Sequence, residues 1–379
     1  MSSRLSRRSL LRATASGAAV LALSRFPAVH AADKSQSKPL ILGQGDHTYE
    51  WQDNWAQLPA GKKFGNTHSV VETDDGNILI HNMSPTGDAT CVFDPSGKFV
   101  KSWGTQFARG AHGMDLRKEG GVEYLYLAPT NMHQTFKTTL TGEVLLTLDY
   151  PAAARDAKGN PCYADRNIKA KNGKTQLKHA ADFYVPTFTA FAPNGDFYVT
   201  DGYGAGFIHR YNAKGEYQSS FGGKGDADNQ TACPHGIYCD TRDPANPLIV
   251  VADREHHRLQ YFTLDGTLHH LVTNDKPEQG KDDSGMLRRP CQFTQRGEEM
   301  LIPDLRGRVT ILDKNNRPIV QLGDNPNVAQ RANHGVKQAD TKPGFFCTPH
   351  GATFDRHGNI YVAEWLPYGR VTRLRKIDA

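Results

Sequence analysis

Residues 186–222 read PTFTAFAPNGDFYVTDGYGAGFIHRYNAKGEYQSSFG. Apolar and polar residues alternate in TFTAFA, and the turn residues Pro193-Asn194-Gly195-Asp196 follow. FYVTDGY, FIHRYN, the turn Ala213-Lys214-Gly215 and EYQSSFG complete the segment. A period of two, broken by Gly- and Asn-containing turns, predicts four antiparallel strands, a to d, joined by hairpins. No long stretch of the chain keeps a helical period, so the fold class is all-β.

The same unit recurs along the chain. HSVVET, NILIHN, TCVFD and KFVKSWG form one copy, and HGIYCD, LIVVADR, RLQYFT and TLHHLV another. Further copies start at His112, Cys291 and His350. The equivalent first positions are His68, His112, Thr187, His235, Cys291 and His350, separated by 44, 75, 48, 56 and 59 residues. Six four-stranded units predict a six-bladed β-propeller, a single domain over residues 40–379. The last unit, HGATFD, NIYVAEW and RVTRLRKI, is one strand short. The N-terminal segment Thr48–Gln52 has no other place and is predicted to supply the missing outer strand, closing the ring and covering a sheet edge.

Three units begin on a shared dipeptide: Ala111-His112-Gly113, Pro234-His235-Gly236 and Pro349-His350-Gly351. They belong to blades 2, 4 and 6, so His112, His235 and His350 approach the central channel with threefold spacing. Three neutral imidazoles with a fourth position open suit zinc or another divalent metal. The alternative is a repeat that favours Pro-x-Gly, with histidine merely filling the x. His68 holds the same place in blade 1, where it is a fourth ligand, a proton shuttle or a hydrogen-bonded rim residue.

Because neighbouring strands are antiparallel, the end of strand b shares a rim with the start of strand a. Tyr203 and Arg254 therefore face the same rim as the histidines. Tyr203 is a candidate general base, or an aromatic packed at the rim. Arg254 is suited to a bidentate grip on a carboxylate, or to pairing with Glu255. Two long connections, about residues 150–182 and 323–347, lie over this rim, the usual place for loops that shape a ligand site. Asp201, Asp253, Asp304 and Glu364 recur at the ends of strands b and are expected to tie neighbouring turns. His256 and His257 read as solvated loop residues.

The first 31 residues carry five arginines and no acid or lysine. Ser6-Arg7-Arg8-Ser9-Leu10-Leu11, the weakly apolar run Ala13 to Leu23 and a cleavage point after Ala31 predict a twin-arginine signal peptide over residues 1–31. The run is too short to span a bilayer. The expected partner is the twin-arginine export machinery and the expected location periplasmic or secreted, with no membrane span in the mature protein. Without the signal, 40 basic residues balance 40 acidic ones, so charge gives no reason to invoke nucleic acid or an anionic membrane. Six cysteines, Cys91, Cys162, Cys233, Cys239, Cys291 and Cys347, permit disulfides, metal binding or simple burial, and no spacing chooses among these.

The stretch VADREHHRLQYF, Val251 to Phe262, resembles the strand pair of NHL-type propeller repeats. More specifically, residues 65–377 resemble the peptidyl-α-hydroxyglycine α-amidating lyase family. That resemblance implies a six-bladed propeller that cleaves a C-terminal α-hydroxyglycine to a peptide amide and glyoxylate, using zinc held by three histidines. It implies zinc on His112, His235 and His350, a catalytic tyrosine at Tyr203 within VTDGY, and an active-site arginine at Arg254. Four departures stand out. Asn82 occupies the place of the family's second arginine. Gly351 replaces an aspartate that helps hold a structural calcium, which makes calcium doubtful here. Gly204 replaces a cysteine, so the family's disulfides do not carry over, and His68 is added. The competing function class is a non-catalytic periplasmic propeller that binds a small ligand or a protein partner. The two differ in whether Tyr203 and Arg254 must converge on the imidazoles.

Overall fold

The computed structural model describes residues 38–85, 87–273 and 285–377. The export signal expected over residues 1–31 lies outside them. Residues 39–379 form one unit. Its strands make six antiparallel sheets arranged as the blades of a propeller, at residues 66–103, 113–148, 189–222, 234–272, 294–322 and 349–376. Among the described residues there is no α-helix, only short 3-10 turns.

The last blade is assembled from both ends of this unit. Its strands Pro349–Phe354, Ile360–Glu364 and Arg370–Lys376 are completed by His47–Gln52, which runs antiparallel to Arg370–Lys376 with Trp51 opposite Leu374. A fifth strand, Ile41–Gln44, folds back on His47–Gln52 and extends this blade beyond the expected four. The long connection after blade 2 carries its own hairpin, Arg166–Lys169 with Thr175–Lys178.

Among the described residues the core is divided into six clusters, one between each pair of neighbouring blades, and a smaller seventh of Val336, Cys347 and Leu366. Between blades 5 and 6, Leu301, Ile311 and Leu322 pack on Tyr49, Phe354 and Leu374. Between blades 6 and 1, Tyr361, Ala363 and Val371 pack on Val70, Ile80 and Phe93. Each sheet is thus buried on both faces, which explains the apolar residues on both faces of LIVVAD and EMLIPD. Burial at about 25 cal/mol per Å² across six such interfaces is what fixes the strand starts around the channel.

Every blade from 3 to 6 ties the end of strand b to the chain entering strand a. Asp201, Asp253, Asp304 and Glu364 accept the backbone N–H of Val185, Ala232, Arg288 and Cys347 at 2.6, 2.7, 2.8 and 2.6 Å. Asn82 does the same in blade 1, accepting from Gly65 N at 3.1 Å, while its amide donates to the carbonyl of Ala89 at 2.9 Å. The blade 1 residue that stands in the place of an arginine is therefore a buried tie, not a rim group.

Candidate metal centre and active site

Two devices aim the histidines of the even blades. The first, in blades 4 and 6, is a local irregularity at the start of strand a: the strand register shifts around His235-Gly236 and at His350, as it also does at His68, whereas blade 2 pairs regularly from Gly113. Such bulges re-aim a side chain that regular pleating would send to a sheet face. The second is a hydrogen bond to the next blade. Nδ1 of His112 donates to the carbonyl of Thr187 at 3.2 Å, Nδ1 of His235 to that of Cys291 at 2.8 Å, and Nδ1 of His350 to that of His68 at 3.0 Å. Each acceptor is the equivalent strand-start residue of the following blade.

The glycine after each histidine has its reason in the same contact. A Cβ on Gly113 would lie 2.0 Å from the carbonyl oxygen of Thr187, on Gly236 2.4 Å from that of Cys291, and on Gly351 2.3 Å from that of His68. Only glycine lets the neighbouring blade come close enough for Nδ1 to reach its carbonyl. The His-Gly dipeptide is thus one packing unit, and Gly351 leaves no room for the aspartate of the resembling family.

With Nδ1 committed as a donor, the tautomer leaves Nε2 as the lone-pair nitrogen of each ring. The four rings cluster at the axis. Ring centroids lie 4.7 Å apart for His112–His350, His235–His350 and His68–His350, and 4.9 Å apart for His112–His235 and His68–His112. Phe188 packs against His112 and His235 from one side. All four imidazoles are buried. Burial holds them well below the ordinary histidine range, His350 at about 3, with repulsion from neighbouring imidazoles adding at His68, His112 and His235. They are neutral, the form that ligates metal.

Two overlapping donor sets emerge. Atoms of His68, His112 and His350 lie within 4.8 Å of one another, and so do atoms of His235, Cys291 and His350. His350 belongs to both. The histidines read from the sequence are therefore brought to one place, accompanied by His68 and by Cys291. The Cys291 thiol donates weakly to the carbonyl of Arg289 at 3.5 Å, and burial pushes it up to about 12. The six cysteines are all free thiols, five of them buried.

Tyr203 and Arg254 converge on the same point. The Tyr203 hydroxyl lies 3.1 Å from Nε2 of His112 and 2.9 Å from Nε2 of His235, and it accepts from Nη1 of Arg254 at 3.2 Å. Tyr203 as a residue remains 41% exposed, so it links the imidazoles to solvent. Arg254 opens a short 3-10 turn, Arg254–His256, and its N–H donates to the carbonyl of Cys233 at 3.1 Å, just before Pro234-His235. Burial raises the phenol well above its ordinary range against the opposing pull of Arg254.

This contact contains a conflict that bears on metal binding. One phenolic proton cannot serve two acceptor nitrogens, so the oxygen turns a lone pair to one of the two Nε2 atoms. Nδ1 of His68 is also buried with no hydrogen-bond partner among the described residues. Unpaired polar nitrogens crowded into a buried channel are costly, and a cation among them resolves the conflict. The residues present therefore fit a divalent metal held by imidazole, with a thiol within reach.

Two further residues complete the rim: Glu255, already expected as a partner of Arg254, and Arg289, which was not evident beforehand. Glu255 accepts from Nε of Arg254 at 3.0 Å and from Nη2 of Arg289 at 2.5 Å. Arg289 stands two residues before the start of blade 5, the place Cys233 holds in blade 4, and both have left-handed backbone, φ 63° and 68°. That shared offset is the only signal the sequence carries for it. Gly204 follows from sterics: a Cβ there would come 1.9 Å from Oδ1 of Asp201. His256, expected to be solvated, instead bonds Asp253 at 2.7 Å.

No family model matches this chain. It is 28% identical over 370 residues to "Peptidyl-alpha-hydroxyglycine alpha-amidating lyase 1" of Drosophila melanogaster, a match covering 86% of this chain. The chain spans 60% of the length of that relative. Among solved structures, a catalytically inactive virginiamycin B lyase from Staphylococcus aureus with quinupristin superposes with a TM-score of 0.52 at 13% identity, covering 87% of this chain and all of that one. A streptogramin B lyase structure gives 0.52 at 12% identity, covering 88% and 98%. These likenesses show the propeller fold.

Proposed function

We propose that this protein is an exported, zinc-dependent carbon–nitrogen lyase acting on an α-hydroxyglycine-like substrate, releasing an amide and glyoxylate. The observation that carries the reading is the meeting of His112, His235 and Arg254 at the hydroxyl of Tyr203. A binding platform has no need of that convergence. The distant relative named an amidating lyase supports the same reaction class.

The metal would be held by His112, His235 and His350, with His68 as a further donor. When bound, zinc supplies Lewis acidity toward the substrate's carbinol oxygen. Arg254 spends Nε on Glu255 and Nη1 on Tyr203, and its Nη2 has no partner among the described residues, so that edge receives the substrate carboxylate. Burial keeps the phenol of Tyr203 protonated, and ionising it at neutral pH takes more positive charge than Arg254 alone provides. As phenolate, Tyr203 takes the carbinol proton while the C–N bond breaks. That proton ends on the amide nitrogen, so turnover has no net proton change.

Residues 1–31 act as the twin-arginine signal in this reading, and the mature chain works in the periplasm or outside the cell. Among the described residues, no helix is long and apolar enough to cross a membrane. The test is glyoxylate release by the zinc-loaded mature protein from a peptidyl-α-hydroxyglycine. Full metal occupancy with no glyoxylate would leave the propeller as a metal-containing binding module.

A further inference from the structure

The hairpin inserted between blades 2 and 3 carries an unusual pair. In the register of Arg166–Lys169 against Thr175–Lys178, Arg166 stands directly opposite Lys178. Like charges at facing strand positions repel and destabilise a hairpin. Among the described residues neither has a carboxylate within ion-pair distance. Both lie over one aromatic ring instead: the guanidinium carbon of Arg166 is 4.1 Å and Nζ of Lys178 5.3 Å from the centroid of Phe183.

These two cations line an open cavity of about 590 Å³, and Lys224 belongs to the same lining. Two carboxylates also line it, and local turns already use them. Asp156 accepts from the backbone of Lys158 and Asn160 at 2.9 and 2.8 Å, and Asp182 accepts from the backbone of His179 at 3.0 Å. Phe183 and Phe207 supply apolar wall, and Tyr203 belongs to the same lining. The cavity therefore sets three cations against two carboxylates and shares its lining with Tyr203, the residue that touches the imidazoles.

We infer that this cavity receives the part of the substrate on the amide side of the scissile bond, and that this part carries a carboxylate. An anion at Arg166 and Lys178 relieves their repulsion, Lys224 adds positive charge to the same lining, and Phe183 and Phe207 cover the adjoining aliphatic chain. The inference rests on the lyase reading for which end of the substrate reacts, but not for the anion site itself.

The experiment uses the full mature protein and two peptide pairs. Turnover is compared for N-acetyl-Glu-α-hydroxyglycine and its Gln counterpart. Equilibrium binding is measured by calorimetry for the unreactive N-acetyl-Glu-Gly and N-acetyl-Gln-Gly, at low and high salt. The variants are Arg166→Gln with Lys178→Gln, and Arg166→Glu with Lys178→Glu, on an exposed hairpin whose folding is checked by thermal melting. The expected result is a preference for Glu of roughly 5- to 10-fold in kcat/KM, lost in the Gln variant, weakened by salt, and inverted toward a Lys peptide in the Glu variant. Equal turnover of the Glu and Gln peptides, or a preference that survives both variants, overturns the inference and leaves the lyase reading standing. No turnover, with charge-dependent binding of N-acetyl-Glu-Gly, keeps the anion site and overturns the reaction. Neither turnover nor charge-dependent binding overturns both.

Discussion

Nδ1 of His350 donates to the backbone carbonyl of His68, 3.0 Å away and 282 residues earlier in the chain. This one bond belongs both to the seam between the last and first blades and to the orientation of an imidazole at the axis. The same bond recurs between blades 2 and 3 and between blades 4 and 5. Site geometry and ring closure are therefore a single structural property of this protein.

Gly236→Ala puts a Cβ 2.4 Å from the carbonyl oxygen of Cys291. The blades must part, at a cost of about 1–3 kcal/mol, and His235 loses its orienting bond. Thermal denaturation should show a lowered Tm and metal binding should weaken. Gly335→Ala, facing only the side chain of Asn333 at 3.3 Å, is the control and should leave both unchanged.

Mature protein purified without chelator should contain roughly one zinc per chain by inductively coupled plasma mass spectrometry. The triple variant His112→Ala, His235→Ala, His350→Ala should contain none while keeping its β-sheet circular dichroism. A cobalt-substituted protein reports on the neighbouring donors: thiolate charge-transfer absorption that vanishes in Cys291→Ser would place that thiol on the metal, whereas its absence leaves imidazole alone.

Tyr203→Phe removes the hydroxyl at which His112, His235 and Arg254 meet. The expected loss in kcat is about 10²- to 10⁴-fold, the range for a lost general base, with little change in Tm because the ring is partly exposed. Arg254→Lys should act chiefly on KM, since an ammonium cannot reproduce a forked grip on a carboxylate. Unchanged kcat in Tyr203→Phe would rule out its role as the base.

Acid should destabilise the fold through histidines that have no part in the site. His209 is buried between the Tyr163 hydroxyl and Ser220, and burial lowers it to about 3. Its folded-state value lies below the unfolded one near 6.5, so its contribution is complete above about pH 6.5 and falls as pH drops toward 3, by about 1.4 kcal/mol per pH unit. Asp115 and Asp201, held up at about 7 by burial, act with the opposite sign as pH rises toward 7. Both are present in His209→Gln as well, so subtracting its denaturant-derived stability profile from that of the unmodified protein removes Asp115 and leaves the histidine slope together with any change at Asp201, which shares the Tyr163 hydroxyl with His209. A flat difference between pH 6.5 and 4 contradicts the assignment.

The repeat was legible because each blade repeats alternation, turn and alternation, and the strand-start histidines were legible because they fall on equivalent positions. The strand Ile41–Gln44 was not, since it is largely exposed and shows no alternation. Nor was the hairpin Arg166–Lys169 with Thr175–Lys178, whose residues are mostly polar and solvent-facing. Arg289 joins the site through contacts with residues far away in the chain, which no local period encodes, whereas Cys291 was placed at an equivalent strand start with metal binding left open. Asn82 shows the reverse case: the sequence placed it correctly, and only its hydrogen bonds reveal that it holds a turn.

The sixth blade has a consequence for biosynthesis. During translation, His68, His112 and His235 emerge well before His350, and the sheet that carries His350 needs residues 47–52 to return and pair with residues 373–376. A nascent chain cannot present the complete imidazole cluster until its last blade has left the ribosome. On the proposed zinc reading, loading would follow translation, and a truncation that spares every histidine but removes Arg370–Lys376 should yield protein without bound metal.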